Sequence, residues 1–496
     1  MLFNSAQYGI FFVIVFTLHW LLPKPIRRTF LLVASFYFYA SAIPQYLLLI
    51  LGLTAFNYAM GLLINRARGR RRKAALVAAI AGNLASLSYF KYSELIVSSI
   101  QPLLRALPLL GPLFHDPLIL NILLPLGISF FTFEFIHYTA EVYKGLRPMR
   151  NPVDFALFAA FFPTQIAGPI KRFPDFVKQL QHPRTLREVD VDGAVGLILR
   201  GLVKKVLVAD TLAPVVATAF AKPEAQGWAT AWFAVFAFAT QIYCDFSGYT
   251  DIGRGCAELL GYVVPENFNR PYQAANPAEF WHRWHMSLST WLRDYLFIPL
   301  GGSRVARPRV YLNLMITMAL GGLWHGASWH FMVWGIYHGV LLCGHRLWSA
   351  TTANAQLYQR LMRVPSMQFV TRAGTLLLVC VGWVFFRADS MGGALAMLHA
   401  MGAFWAPALA GWHLEPLATP VLLMVGAALV VVAGWCWAVF EEPIVRLVEA
   451  QVGWLRVGRQ AWARTVLVRP ALYSAAILLL VTWPPHTAQR FIYFQF

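Results

Sequence analysis

Apolar residues run along this chain in long blocks separated by short, basic loops. The blocks fall near residues 8–22, 29–64, 74–100, 118–143, 152–170, 194–220, 228–248, 310–349, 373–387, 420–440 and 471–483. A bilayer-spanning helix needs about 20 apolar residues, so the pattern predicts an all-α polytopic membrane protein with about 11–13 spans. The longest blocks have room for two helices, or for one helix and a re-entrant piece. Gly and Pro interrupt several blocks, as in Leu124-Pro125-Leu126-Gly127 and Ala167-Gly168-Pro169. At membrane depth such breaks are tolerated only where protein or water satisfies the freed backbone. They point to short or re-entrant helices lining a cavity.

Composition agrees. Of 496 residues, 58% are hydrophobic and 13% charged, against about 25% charged in a soluble domain. No internal repeat, low-complexity tract or soluble domain is visible, so residues 1–496 read as a single integral-membrane domain. The longest polar stretches are 171–192, 263–280 and 351–372, and the first predicts an amphipathic surface helix or loop.

The net charge of +19 sits mostly in the loops: Arg66 to Lys73; Lys144, Arg147 and Arg150; Arg304, Arg307 and Arg309; Arg360, Arg363 and Arg372. Lys and Arg are enriched in cytoplasmic loops. Lys24, Arg27 and Arg28 follow the first apolar block, so the first helix is expected to end in the cytoplasm. Its flanks do not resemble those of a cleaved signal peptide. The loop 101–117, with only Arg105 and Asp116, suits the opposite side. A nucleic-acid role would want a basic face on a soluble domain, and none is visible. Some of the basic loops suit a cytoplasmic vestibule for an anionic, phosphate-bearing donor.

Five cysteines, Cys244, Cys256, Cys343, Cys380 and Cys436, are scattered without a CxxC pair. They predict buried apolar fillers rather than disulfides or a thiolate metal site.

Four runs concentrate the chemistry. Residues 161–176, FFPTQIAGPIKRFPDF, hold three prolines, which forbid an unbroken helix. They read either as a span ending in a cytoplasmic turn, or as a broken segment lining a tunnel with Lys171 and Arg172 at its mouth. Residues 241–262 carry Asp245, Asp251, Arg254 and Glu258. There the spacing allows Asp251–Arg254 and Arg254–Glu258 pairs on one helix face.

The third run, WHRWHMSLSTWLRDYLFIPLGGSR, places His282 and His285 three apart, as on one helical face, with Trp281, Trp284 and Trp291 as an interfacial belt. The fourth, LGGLWHGASWHFMVWGIYHG, brackets His325 with Gly321, Gly322 and Gly326, and His330 and His338 follow. An ionisable group at the centre of a bilayer is unfavourable by about 2.5–3.5 kcal/mol on insertion scales, which makes such residues functional candidates. Histidine can take and return a proton near neutral pH. The spacings do not match the i, i+4 helical ligand pattern of a metal site, and no G-x-S-x-G elbow appears.

These runs, with the opening MLFNSAQY and the closing FIYFQF, resemble the membrane-bound O-acyltransferase (MBOAT) family, and within it the bacterial branch that acetylates polysaccharides such as alginate. The resemblance spans the chain. It implies a ring of tilted helices around a central funnel, with His325 as catalytic histidine and His285 as its second histidine. Arg293 and Asp294 then become supporting residues. Lys171, Arg172 and Arg304 become candidates for gripping the donor.

The implied reaction moves acetyl from cytoplasmic acetyl-CoA, without a metal, across the bacterial inner membrane to a periplasmic acceptor. That acceptor would be a separate SGNH-type acetyltransferase, which hands the group to an exopolysaccharide. Such a partner would dock near 101–117 or 388–419. Acylation of peptidoglycan, cellulose or teichoic acid is the alternative within the family. A polymer or lipid-precursor transporter is the alternative outside it, since broken helices suit transport.

Overall fold

The computed structural model describes residues 1–106, 120, 122–352 and 354–404, together with 474 and 478. The block 420–440, almost all of 471–483, the closing FIYFQF, Cys436, most of the 101–117 loop and residues 405–419 lie outside the described residues.

Among the described residues all regular structure is helical. In chain order the α-helices are α1 (Ala6–Leu21), α2 (Lys24–Ala40), α3 (Leu47–Arg66), α4 (Gly69–Leu87), α5 (Ser93–Arg105), α6 (Ile128–Lys144), α7 (Pro152–Ala160), α8 (Phe173–Gln181) and α9 (Val191–Leu202). Then follow α10 (Asp210–Ala221), α11 (Trp228–Leu259), α12 (Pro277–Arg283), α13 (Met286–Leu292), α14 (Arg307–His325), α15 (Trp329–Thr352), α16 (Gln356–Leu361), α17 (Pro365–Arg387) and α18 (Met391–Gly402).

Three described stretches are long and apolar enough to cross a membrane: Pro44–Arg66, Gly69–Arg105 and Pro365–Arg387. Two of the predicted blocks lie wholly or almost wholly outside the described residues, and several of the others take a different local form. Block 152–170 yields only the nine-residue α7 before the chain enters turns. Block 194–220 is broken by a π turn at Val203–Ala209. Block 228–248 does not stop at its apolar end, and α11 runs on through Asp245, Asp251, Arg254 and Glu258. Block 310–349 does hold two helices, α14 and α15, with His325 at the junction. Exposed apolar residues cover the outside, among them Ile10, Val13, Leu48 and Phe369, as a lipid-facing surface requires.

The interior is organised around α11, which is buried along most of its length. Small residues let its neighbours close in. A Cβ on Gly201 of α9 would lie 2.5 Å from the Gly248 carbonyl, and one on Gly248 would lie 2.7 Å from the Gly201 carbonyl. The opening MLFNSAQY also ends on this helix. Phe3 stacks on Tyr249 at 4.3 Å, and the Tyr8 hydroxyl donates to the Cys256 sulfur at 3.4 Å. Ser5 caps α1 by accepting from the Tyr8 amide. Of the described cysteines, Cys244, Cys256 and Cys380 are buried and Cys343 is half-buried, so they act as fillers.

Between α7 and α8 the chain is not helical, and Phe161 to Lys171 are all buried. Irregular backbone this deep needs partners from the protein. The Phe162 amide donates to Ser35 Oγ at 3.2 Å, and the Ile170 amide donates to Ser287 Oγ at 3.0 Å. After it, α8 presents Phe173, Phe176 and Leu180 inward while its other side stays polar, the amphipathic surface helix that the sequence predicts.

Among the described residues three π turns interrupt the helices: Ser88–Tyr92, Val203–Ala209 and Arg293–Phe297. Each carries charged residues. Such turns are uncommon and recur at functional sites, because the extra residue redirects a side chain.

Candidate functional site

His325 is the last residue of α14, where the chain turns through the extended Gly326 into α15. The hairpin closes because its two helices almost touch. A Cβ on Gly322 would stand 2.9 Å from the backbone of Gly335. Gly326 likewise leaves no room for a side chain beside the Phe331 ring. The glycines around His325 thus allow close packing, which places the imidazole inside the protein at 4% exposure.

His285 reaches the same region by a different route. Helix α12 ends at Arg283, and His285 takes left-handed backbone angles, φ +43, before α13 begins at Met286. A non-glycine residue there is strained, and such strain clusters at functional sites. The expectation that His282 and His285 share a helical face is therefore corrected. The helix breaks between them, leaving His282 exposed while His285 is fully buried.

Trp324 stands between the two histidines, with its ring centroid 6.1 Å from His285 and 4.9 Å from His325. Phe246 and Phe268 close around His285, and Trp334 and Phe386 around His325. Among the described residues neither ring nitrogen of His285 has a hydrogen-bond partner. Two imidazoles in a buried aromatic enclosure can exchange protons with a bound reactant, and the low polarity strengthens every electrostatic contact they make.

Lys91, the one basic residue between Lys73 and Arg105, lies in the first π turn. Its ammonium donates to the carbonyls of Trp324 and His325, the latter at 3.2 Å, and to Ser129 Oγ at 3.3 Å. A cation at the C-terminal end of α14 complements the helix dipole. Sequence reasoning passed over Lys91. The signal was present, as a lone lysine inside the apolar block 74–100.

The tryptophans of the His285 run form no interfacial belt. Trp284 packs between Phe280 and Trp383, and Trp291 stacks on Phe133 at 3.8 Å. Both are buried, because α12 and α13 fold into the protein.

The remaining candidates separate. Arg293 and Asp294 lie in the third π turn, where Asp294 takes Arg293 at 2.8 Å and Arg172 at 2.8 Å. Tyr295 beside them donates to Glu141 at 2.7 Å, and the His137 ring lies edge-on to Tyr295 at 5.1 Å. Phe133, which stacks on both Trp291 and Trp324, connects this cluster to the histidine enclosure. Lys171 lies not at an open mouth but in a buried ion pair with Glu134 at 2.7 Å, with Thr164 at 2.8 Å. Arg304 is exposed in the turn before α14.

A cavity of about 570 Å³ runs past Arg172, His282, Met286, Ser287, Arg293 and Met318. Its wall thus includes the two residues after His285 and, two helical turns before His325, Met318. Among the described residues no group of three His, Cys, Asp or Glu side chains could hold a metal.

The acidic residues of 241–262 are ion-paired. Lys205 bridges Asp210 and Asp245 at 2.7 Å each, and Asp251 takes Lys204 at 2.9 Å and Arg200 at 3.2 Å. The predicted Asp251–Arg254 pair is present at 3.8 Å, but Glu258 pairs with Arg184 rather than Arg254.

Residues 87–383 match the membrane-bound O-acyltransferase family, and the chain belongs to it. It is accordingly a membrane protein and an O-acyltransferase. The chain is 41% identical over 409 residues to the probable alginate O-acetylase AlgI of Pseudomonas aeruginosa, covering 82% of this chain and 75% of that one. It is 37% identical to the probable alginate O-acetylase AlgI of Pseudomonas putida over the whole of both chains. The peptidoglycan O-acetyltransferase of Helicobacter pylori is 33% identical over 75% of this chain and 73% of its own length.

Proposed function

We propose that this protein is an exopolysaccharide O-acetyltransferase of the alginate type, a single membrane domain over residues 1–496 that draws acetyl from cytoplasmic acetyl-CoA and delivers it across the inner membrane. The observation that carries the reading is the pairing of His325 and His285 around Trp324 in a buried enclosure. The relatedness to alginate O-acetylases over the whole chain supports the acceptor class.

In this reading His325 is the general base. It removes the proton of the acceptor hydroxyl as that oxygen attacks the thioester carbonyl. The tetrahedral intermediate collapses by breaking the carbon–sulfur bond, and the proton passes from His325 to the departing thiolate. The products are the acetyl ester and free CoA. A positioned histidine contributes about 10²–10⁴-fold to such a step. His285 stabilises the developing oxyanion.

Asp294, itself paired with Arg293, holds Arg172 at the wall of the cavity of about 570 Å³. Arg172 and Arg304 remain the donor-gripping candidates. Lys171, neutralised by Glu134, serves as an anchor of the buried loop. The funnelled, re-entrant ring of about 11–13 spans that the family resemblance implies belongs to the same reading. So does a separate periplasmic SGNH-type partner docking near 101–117 or 388–419.

The test is transfer from labelled acetyl-CoA in nanodiscs, with the candidate periplasmic partner added or omitted. Label appearing on the partner and then on polymer supports the reading. Turnover only with an acyl-carrier-linked donor would move the protein to the teichoic-acid type of reaction. Label passing to peptidoglycan in place of exopolysaccharide would change the polymer.

A further inference from the structure

A second cavity, of about 320 Å³, lies against α11, between its middle turns and the segment 266–270. Four cations line it, Arg200, Lys204, Arg254 and Arg270, against two carboxylates, Asp251 and Glu266. The carboxylates are engaged: Asp251 by Lys204 and Arg200, Glu266 by Arg254 at 3.4 Å. Cations thus outnumber carboxylates on the lining by two.

Two polar groups on its wall have no partner among the described residues, the Ser247 hydroxyl and the Asn267 side-chain amide nitrogen. Their residues are only 2% and 1% exposed. Buried polar groups are almost always hydrogen-bonded. Both of these can donate, so an acceptor completes them. An excess of cations with two unmet donors defines a site for an oxyanion, in a space that suits a phosphate or a diphosphate.

Asn267 also faces the histidine enclosure. Its carbonyl accepts from the Met286 amide at 2.9 Å, and its Oδ1 accepts from the Ser287 hydroxyl at 2.6 Å and amide at 3.2 Å. Met286 directly follows His285 in its left-handed turn. A ligand on the Asn267 amide nitrogen therefore bears on the residue that presents His285. Further basic residues meet the end of α11 beyond Arg254: Glu258 takes Arg184, and Leu259 accepts from Trp20, whose carbonyl takes Arg27.

We propose that this cavity binds a phosphate-class anion, a phosphate monoester or diphosphate, which sets the His285 turn through Asn267. The inference goes beyond the acyl-transfer reading and does not need acetyl-CoA to be the donor. The anion has three possible sources of one chemistry: the donor's own phosphates, free phosphate, or a phospholipid headgroup.

The experiment is equilibrium binding of radiolabelled inorganic pyrophosphate to the full-length protein in phosphatidylcholine nanodiscs. Ser247→Ala and Arg254→Gln serve as variants, since neither removes a buried ion-pair partner of α9 or the 203–209 turn. Saturable binding by the wild type, weakened about tenfold in each variant, is expected for the loss of one charge-assisted or buried hydrogen bond. No saturable binding, or equal affinity in wild type and both variants, overturns the proposal.

Competition then assigns the source within a supporting result. Displacement by acetyl-CoA but not by acetyl-pantetheine names the donor's phosphates. Displacement by neither names free phosphate. Loss of binding in nanodiscs containing phosphatidylglycerol names the headgroup. Because pyrophosphate binding is read without turnover, failure of this proposal is distinguishable from failure of the acetyl-transfer reading.

Discussion

The ammonium of Lys91 donates to the backbone carbonyl of His325 at 3.2 Å. Two segments far apart in sequence are thereby joined at the end of α14, and the ammonium holds the carbonyl rather than the imidazole. Lys91 is a positioning residue. Lys91→Met is expected to lower kcat about tenfold to hundredfold, the usual worth of a hydrogen bond from a charged donor. KM and the thermal unfolding midpoint should stay close to wild type. Steady-state acetyl transfer with matched melting curves checks this, and a wild-type kcat would remove Lys91 from the account.

Among the described residues His285 has no hydrogen-bond partner on either ring nitrogen, so it contributes little polar stabilisation to them. His285→Asn should leave the melting temperature nearly unchanged. It should reduce kcat by about 10²–10³, as removal of an oxyanion donor does. A large drop in melting temperature with kcat intact would assign His285 a structural role.

Lys205 sits between Asp210 and Asp245, all three buried. Removing one partner of a buried ion network leaves uncompensated charge, at about 3–5 kcal/mol. Lys205→Met should therefore unfold at markedly lower temperature in detergent. Lys205→Met combined with Asp245→Asn should recover part of the loss, measured in the same thermal scan.

The α14–α15 hairpin allows a packing test. Gly322→Ala forces a methyl into the Gly335 backbone, which cannot move aside, and overpacking of this kind is unfavourable by about 1–3 kcal/mol. Gly344→Ala, with open space around it, should melt like wild type. Differential scanning fluorimetry separates the two.

Helicity, membrane character and the histidine runs were legible in the sequence. Apolar blocks, glycines and isolated charges each carry a local signal, and the length of block 310–349 leaves room for the two helices found there. The fate of the broken blocks was not legible. The backbone break between His282 and His285 is set by tertiary packing of Trp284 among Phe268, Phe280 and Trp383, which no helical periodicity encodes. The same packing draws Trp284 and Trp291 away from the interface. Lys171 looked like a basic group at a loop mouth because its partner, Glu134, lies 37 residues earlier, in α6. The Asn267–Ser287 contact likewise joins two segments that the sequence gives no reason to pair.

The central claim is that His325 performs the proton transfer in acetyl transfer. The most direct measurement is single-turnover transfer from labelled acetyl-CoA, in nanodiscs, by wild type and His325→Ala at matched thermal stability. The account predicts that the well-folded variant loses transfer by at least about 10²-fold while still binding the donor. Equal transfer by both proteins would contradict it.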